Sequence, residues 1–159
     1  MAKTSKRKLG AGDVASNRQA AYRYHLLDRF ECGIVLLGTE VKALREGSAQ
    51  LRESYVLLRD GELWLHGAHI PPYGPANREN HQPDRDRKLL LHRREIDRIA
   101  ARINERGLTV VPTRIYFKGP RAKVEIALAR GKDLYDKRES IKTRDTRRDM
   151  DRALREAGR

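Results

Sequence analysis

Residues 108–129 read LTVVPTRIYFKGPRAKVEIALA and carry the clearest β-sheet signal in the chain. Two runs rich in β-branched and aromatic residues flank Gly119-Pro120, a pair typical of turns. In the second run every other residue is apolar, and these residues are Val124, Ile126 and Leu128. The residues between them, expected to face outward, are Lys123, Glu125 and Ala127. The pattern predicts an antiparallel hairpin of Leu108–Lys118 with Ala122–Ala129.

A second hairpin is predicted farther toward the N-terminus. Tyr55–Arg59 and Glu62–His66 flank Asp60-Gly61, and a type I′ turn favours such a pair because both central positions need positive φ. Residues 22–37 are also rich in strand-forming side chains, with Asp28-Arg29 marking a bend, so we expect two strands or one bent strand there. Several antiparallel strands are therefore predicted.

Two helices are predicted between these strands. The first opens at Gly38-Thr39, with Thr39 as its cap, and ends at Gly47. Its inward residues should be Val41 and Leu44, and its outward residues Lys42 and Arg45. Apolar residues recur at helical spacing between Lys88 and Arg106, which predicts an amphipathic helix of about five turns.

Short antiparallel strands interrupted by helices indicate a mainly β fold, an OB-type small antiparallel β-barrel with flanking helices. We place a basic, flexible arm at residues 1–14, the barrel at 15–130 and a basic C-terminal tail at 131–159, disordered or conditionally helical. The single cysteine, Cys32, is expected to pack beside Phe30 rather than act as a reactive thiol.

The charge balance indicates an anionic partner. The formal net charge is +13 over 159 residues, and the N-terminal ten residues contain four Lys or Arg and no acid. A protein this basic typically binds a polyanion, most often nucleic acid. Since the body has few aromatic residues, we expect it to recognise phosphates and 2′-hydroxyls of a folded RNA rather than stacked bases.

The tail is the most charged segment. Residues 131–159 contain ten Lys or Arg and seven Asp or Glu, with little apolar surface to bury. On a helix, five arginines separated by three or four positions form one basic stripe: Arg144, Arg148, Arg152, Arg155 and Arg159. Such a stripe could be an ordinary solvated face, but we favour binding to phosphates.

Enzymatic alternatives are weaker. His66, His69 and His81 could suggest zinc, but a structural site needs four ligands and only one cysteine is present. Asp84 and Asp86 could suggest a metal-dependent nuclease, yet Arg85, Arg87 and Lys88 lie between and beside them and would neutralise them by pairing. We therefore predict no metal, no cofactor and no catalytic residue.

Short sequences spread over residues 15–148 resemble those of one known family. They are NR at 17–18, FECGIVL at 30–36, GTEVK at 38–42, RKLLLH at 87–92, GLTVVP at 107–112, GK at 131–132 and YDKRE at 135–139. In order and spacing they are similar to the small protein B family, the tmRNA-binding proteins of bacterial trans-translation. Asp133-Leu134 departs from a stretch that is usually more basic in that family.

The resemblance implies an OB-type barrel that binds the tRNA-like domain of tmRNA and delivers it to stalled ribosomes without catalysis. It implies RNA contacts at Asn17 and Glu31, although Glu31 could instead be a structural ion-pair partner. Together with the basic residues of the 39–45 helix, the 80–88 loop and the Gly119-Pro120 turn, the predicted body contacts are Asn17, Arg18, Tyr24, Glu31, Lys42, Arg45, His81, Arg85, Arg87, Lys88, Lys118 and Lys123.

The resemblance further implies a tail that is helical in the empty mRNA channel beside the decoding centre of the small ribosomal subunit. The predicted tail contacts are Lys132, Tyr135, Asp136, Lys137, Arg138, Arg144, Arg148 and Arg152. The alternative is a general OB-fold RNA-binding or ribosome-assembly factor without tmRNA preference. In either case we expect a cytoplasmic, monomeric protein that does not enter a membrane.

Overall fold

The computed structural model describes residues 12–105, 107–132 and 134–158, with side chains described except at 77–79, 134–137 and 139–140. Within these ranges the chain forms seven strands: β1 (Asp13–Ser16), β2 (Tyr24–Ile34), β3 (Tyr55–Arg59), β4 (Glu62–His66), β5 (Arg87–Leu90), β6 (Leu108–Lys118) and β7 (Arg121–Gly131). It also forms four α-helices: α1 (Arg18–Arg23), α2 (Gly38–Arg45), α3 (Arg93–Ile103) and α4 (Leu134–Ala157). A short 3₁₀ helix spans Gly74–Glu79.

Both predicted hairpins are present. β6 pairs antiparallel with β7, and β3 pairs antiparallel with β4. At the β3–β4 turn, Asp60 has φ 51° and Gly61 φ 73°, the two positive values that a type I′ turn requires. These local pairings are set by the alternation of apolar residues and by turn chemistry.

The strands form one sheet in the order β1-β6-β7-β2-β5-β4-β3. Its inner face includes Val124, Ile126 and Leu128, all fully buried as the alternation predicts. Ala127 was expected to face outward but is also buried, because the opposite face of β7 is partly covered: Ala20 of α1 packs there against Val111 and Ala129. The prediction of a mainly β fold with flanking helices is confirmed.

Hydrogen bonds do not close the sheet into a complete barrel within the described residues. β3 lies against β6, but no ladder joins the two strands in the part of the chain described here. One physical reason is β1, which pairs with residues 114–116 of β6 and so occupies part of its free edge. β1 also moves the start of the ordered body into the range predicted as a flexible arm, whose residues 1–11 lie outside the described part.

Tertiary pairing changes two predicted elements. The predicted helix from Lys88 to Arg106 is divided, since Arg87–Leu90 is strand β5 and only Arg93–Ile103 is helical. Leu89 fits either pattern, but β5 pairs with β2 and β4 and buries Leu89 in the core. Tyr22 was predicted to be extended and instead lies on α1, whereas the predicted bend of β2 is observed as a register shift between Leu26 and Arg29.

Cys32 is fully buried in the main core together with Phe30, as predicted. Burial raises the pKa of its thiol to about 12, and the nearby carboxylates of Glu95 and Glu31 act in the same direction. The thiol therefore stays protonated at neutral pH and has no nucleophilic character.

Candidate functional site

A buried ion pair fixes α2 against the segment before β5. Glu40 and Arg87 both have 0% exposure and pair through Glu40 Oε2 and Arg87 Nε, while Arg85 Nε donates to Glu40 Oε1 at 3.0 Å. Burial alone would raise the pKa of Glu40, but hydrogen bonds from Arg85, the Leu37 N–H and Arg87 hold that pKa below its usual 4.5. Glu40 is therefore an anion in the core.

Arg87 uses its remaining donors inside the protein. Its Nη1 donates to the carbonyl of Ala68 at 2.9 Å, and its Nη2 donates to the carbonyl of Pro83 at 3.0 Å. A side chain with no exposed surface offers nothing to RNA in this conformation. Arg87, predicted to contact RNA, instead holds the 80–87 loop and α2 together in this structure, and its RNA contact stays a prediction.

His81, also predicted to contact RNA, is buried as well, and its RNA contact stays a prediction. It is 6% exposed and lies between the Thr39 hydroxyl and the carbonyl of Ile70. Because a carbonyl only accepts, His81 Nε2 carries the proton and donates to Ile70 at 2.8 Å. The Thr39 hydroxyl lies 2.9 Å from His81 Nδ1. Thr39 was predicted to cap α2, but the N-cap residue of α2 is Leu37.

The exposed cations of α2 lie over aromatic rings. Lys42 Nζ is 5.6 Å from the centroid of the Tyr73 ring, and the guanidinium carbon of Arg45 is 5.1 Å from that of Phe117. These distances are in the range of cation–π interactions, which hold a charge in position while leaving it accessible. The predicted outward direction of Lys42 and Arg45 is observed.

A groove of about 820 Å³ opens beside the C-terminal part of β2. Its apolar lining comprises Ile34, Leu36, Val41, Leu90, Leu91 and Ala122. Its charged or ionisable lining comprises Glu31, His92, Glu95, Arg121 and Lys123. β2 approaches β5 closely here, since a Cβ on Gly33 would lie 3.2 Å from Leu90 Cβ. Such a lining suits unpaired nucleotides, whose bases pack on apolar surface while their phosphates meet cations.

Glu31 stands at the edge of this groove as part of a small polar cluster. The Tyr116 hydroxyl donates to its Oε2, and Lys118 Nζ lies 3.4 Å from its Oε1. The hydrogen bond from Tyr116 lowers the pKa of Glu31, and Lys118 and Lys123 lower it further. Glu31 is thus an intramolecular ion-pair partner, and its side chain is still 41% exposed, so it remains accessible to a ligand.

Asn17 acts as the cap of α1. Its Oδ1 accepts from the Ala20 N–H at 3.3 Å, and its Nδ2 donates to the Pro112 carbonyl at 3.0 Å. Both the oxygen and the nitrogen of the Asn17 amide therefore form hydrogen bonds that stabilise the fold. Asn17 and Tyr24 line a second cavity of about 430 Å³, separate from the Glu31 groove.

The predicted body residues thus fall into three groups. Glu31 and Lys123 line the groove, and Lys118 joins them through Glu31. Lys42 and Arg45 are exposed on α2 and Arg18 is exposed on α1, whereas Asn17 and Tyr24 line the second cavity. Arg85 is bound to Glu40 and Lys88 to Glu62, while Arg87 and His81 are buried.

The sequence-based prediction missed Leu90 and Leu91, two groove residues that the sequence pattern could have indicated. Leu90 is 50% exposed and Leu91 lies beside it in the groove. Consecutive leucines on a strand point to opposite faces, so the run Leu89–Leu91 cannot be wholly internal. Arg121, missed as well, follows the predicted turn directly.

Most of the tail is helical: α4 spans Leu134–Ala157. Four predicted tail contacts on α4 have described, exposed side chains: Arg138, Arg144, Arg148 and Arg152. Lys132 precedes α4 and donates from Nζ to the Ala21 carbonyl at 3.0 Å. The predictions for the side chains of Tyr135, Asp136 and Lys137 lie outside the described residues.

The histidines do not converge on a metal site. His66 Nδ1 lies 2.7 Å from Asp86 Oδ1, and His69 Nδ1 lies 2.8 Å from Asp84 Oδ1. No group of three or more His, Cys, Asp or Glu suited to a metal occurs among the described residues. The acids expected to pair with neighbouring cations pair elsewhere, for example Asp86 with Arg59 at 3.2 Å.

Across the described helices, none combines the length and apolar character that a membrane span requires.

Comparisons with known proteins place the chain in a family. The family model described as "SmpB protein" matches residues 14–156. The SsrA-binding protein of Syntrophomonas wolfei subsp. wolfei is 53% identical over 154 residues, covering 97% of this chain and 98% of the relative. The SsrA-binding protein of Geobacter sulfurreducens is 52% identical, covering 93% of this chain and 97% of the relative.

A solved structure described as "tmRNA-SmpB: a journey to the center of the bacterial ribosome" contains a similar chain. It is 44% identical, superposes with a TM-score of 0.65 and covers 76% of this chain and 85% of the other. The family match spans most of the chain, including both the sheet and α4. The chain therefore belongs to the SmpB protein family.

Proposed function

We propose that this protein is a non-catalytic adaptor that binds the tRNA-like domain of tmRNA and brings it to ribosomes stalled on incomplete messages. The observation that carries the proposal is the groove beside β2, where Glu31, Lys123 and Arg121 surround an apolar floor. The relatives named SsrA-binding proteins, and the solved chain from a tmRNA–ribosome assembly, support the same function. A protein that works on bacterial ribosomes acts in the cytoplasm.

The body and the tail have different parts in this function. In the body, the groove and the exposed cations Lys42 and Arg45 face the folded RNA, with the buried Glu40–Arg87 pair holding α2 in place. In the tail, the exposed arginines of α4 follow phosphates of the ribosomal RNA that lines an empty mRNA channel. The body selects tmRNA, and the tail tests for the absence of mRNA.

A competition experiment tests the proposal. Labelled tmRNA is bound to the protein at fixed salt and displaced with unlabelled tmRNA or with total tRNA. Because non-specific electrostatic binding discriminates weakly between folded RNAs, a specific site should make tmRNA the better competitor by about tenfold or more. Equal displacement by the two RNAs would contradict the proposal and favour a general RNA-binding factor.

The groove has its own matched test. Lys123→Gln removes a groove cation and should weaken tmRNA binding, whereas Arg94→Gln removes an exposed cation on α3 that does not line the groove. We expect Lys123→Gln to weaken binding by about fivefold or more, consistent with loss of one charge-assisted contact. Equal effects of the two substitutions would place the site elsewhere.

A further inference from the structure

A network of polar side chains connects β1, β6 and β7 with Glu31 of β2. Arg114 Nη1 donates to Asp13 Oδ1 at 2.9 Å, and Arg114 Nη2 lies 3.3 Å from Glu125 Oε2. The guanidinium carbon of Arg114 is 4.3 Å from the centroid of the Tyr116 ring, within the range of a cation–π contact. Because two carboxylates hold Arg114, the Tyr116 ring packs against a guanidinium group that is itself fixed.

The hydroxyl of Tyr116 ends this network as a hydrogen-bond donor to Glu31 Oε2. The bond reaches across β7, which lies between β6 and β2 in the sheet. Burial raises the pKa of Tyr116, and the hydrogen bond to Glu31 and the charge of Glu31 raise it further. The phenol therefore keeps its proton at neutral pH, and the ionised carboxylate only accepts.

Lys118 is the second partner of Glu31, but it constrains the carboxylate less than Tyr116 does. Lys118 Nζ lies 3.4 Å from Glu31 Oε1, and the lysine side chain is 68% exposed. An exposed lysine has many accessible rotamers, and its ammonium group is a point charge with no preferred plane. Tyr116 is half-buried and held by Arg114, so its hydroxyl has the more fixed position.

The orientation of Glu31 matters because its carboxylate lines the groove beside β2. A carboxylate oxygen can accept hydrogen bonds from base amino groups or 2′-hydroxyls, and such bonds require a defined direction. A freely rotating glutamate would lose side-chain entropy when a ligand orders it, which weakens binding. A hydroxyl that orders the same side chain in the free protein removes part of that cost.

We propose that Tyr116 is a positioning residue, whose hydroxyl holds the Glu31 carboxylate in the orientation in which it accepts hydrogen bonds from a ligand in the groove. Tyr116 acts through Glu31 and not on the ligand itself, and the Asp13–Arg114 pair supports it by fixing its ring. The proposal rests on the proposed function in taking tmRNA as the ligand.

The first test measures binding of fluorescein-labelled tmRNA to the full chain by fluorescence anisotropy. Tyr116→Phe removes the hydroxyl but keeps the ring against Arg114, and it should weaken binding by about threefold to tenfold because Glu31 is no longer held in place. Tyr55→Phe is the matched control, because it removes a tyrosine hydroxyl on β3 outside the groove and should change binding by less than about twofold. Equal effects of the two substitutions would overturn the proposal.

A double-mutant cycle shows whether Tyr116 acts through Glu31. In a Glu31→Ala background there is no carboxylate to position, so adding Tyr116→Phe should weaken tmRNA binding by less than about twofold. The same loss in both backgrounds would overturn the proposal, because Tyr116 would then contact the RNA or support the fold independently of Glu31.

A third measurement needs no RNA. The hydrogen bond from Tyr116 is the largest cause that holds the pKa of Glu31 below its usual 4.5, and Lys118 and Lys123 are present in wild type and variant alike. An NMR titration of the Glu31 carboxyl carbon should therefore show a higher pKa in Tyr116→Phe and an unchanged pKa in Tyr55→Phe. A Glu31 pKa that Tyr116→Phe leaves unchanged would overturn the proposal.

Competition with total tRNA distinguishes this proposal from the proposed function. If the wild type prefers tmRNA and Tyr116→Phe binds tmRNA as tightly as the wild type does, the role of Tyr116 alone is overturned. A wild type without tmRNA preference would overturn the proposed function, whatever the NMR titration shows.

Discussion

The sheet body and helix α4 carry similar residue types but use them differently. In the body, several arginines are committed to partners, such as Arg114 with Asp13 at 2.9 Å and Arg29 with Glu125 at 3.0 Å, while Lys42 and Arg45 stay exposed. On α4, the described arginines are exposed and no ion pair involves them within the described side chains. The ion pairs of the body fix the positions of several of its arginines, whereas no carboxylate fixes the described arginines of α4, so a bound partner would have to position them.

Removing the tail should have the largest effect and separates the two regions most directly. Truncation after Lys132 preserves the hydrogen bonds from this residue to α1 and deletes α4. We expect tmRNA affinity to stay within about threefold, because only peripheral phosphate contacts are lost. Tagging on stalled ribosomes should fall to background in a reconstituted translation assay.

This result would be contradicted by a truncated protein that tags at the wild-type rate. A loss of tmRNA affinity of more than about tenfold would also contradict it, because the tail would then belong to the selecting surface.

Breaking the buried ion pair should produce the largest change within the body. Arg87→Ala leaves Glu40 as an uncompensated charge in the core and should lower the free energy of unfolding by about 3–5 kcal/mol. Urea unfolding followed by the fluorescence of Trp64, the single tryptophan, measures this change. Lys88→Ala is the matched control, because the Lys88–Glu62 pair is partly exposed to solvent and should contribute less than about 1 kcal/mol.

Similar losses in the free energy of unfolding for the two variants would mean that the buried ion pair does not stabilise the body more than an ordinary ion pair does. The proposed difference between the body and α4 would then be wrong.

Acid should destabilise the body through the same group. The folded-state pKa of Glu40 lies below its usual 4.5 despite burial, because of hydrogen bonds from Arg85, Leu37 and Arg87. The unfolded chain therefore binds protons first as the pH falls, so this contribution is complete above about pH 4.5 and is lost as the pH falls through the folded pKa. Urea midpoints measured from pH 7 to pH 3 should decline below pH 4.5.

Glu40→Gln provides the control, since it lacks the titrating group and its midpoint should decline less steeply over the same range. An identical decline would assign the acid sensitivity to other carboxylates, such as Asp86 and Glu125, whose pKa values are also lowered by their partners.

Asn17 gives the smallest expected effect and tests a residue first assigned to RNA. Asn17→Ala removes the cap of α1 and the bond to Pro112, and should cost about 1 kcal/mol in the free energy of unfolding. Asn17→Ser keeps a capping oxygen and should recover part of that loss. If Asn17→Ala weakens tmRNA binding strongly at unchanged stability, the amide contacts RNA instead.

Several features were readable from residues close in sequence. The hairpin at Asp60-Gly61, the alternation of Val124, Ile126 and Leu128, and the bend of β2 near Asp28 all reflect local backbone preference or period-two burial. The exposed cations of α2 likewise follow from helical period. The arginine spacing of the tail agrees with α4 for the same reason.

The remaining features depend on residues far apart in the chain. The sequence places Arg85, Arg87 and His81 in a surface loop. Glu40 and Thr39, more than forty positions away, bind these side chains inside or against the body. Lys88–Leu90 fits a helix by period but forms β5, because β2 and β4 pair with it there. In β5, long-range backbone hydrogen bonds outweigh the weak local propensity for helix. In the loop, long-range side-chain contacts determine which residues are buried.

The amino-acid sequence alone specifies a basic β-rich body with a helical arginine stripe, because periodicity, turn chemistry and charge are properties of neighbouring residues. Its similarity to SmpB relatives adds the family. The tertiary structure alone determines which cations are available, since burial and pairing depend on what the fold brings into contact. Helix α4 has no core of its own, so its described arginines are exposed to solvent. The body has a core, and Arg87 is buried there because Glu40 neutralises its charge.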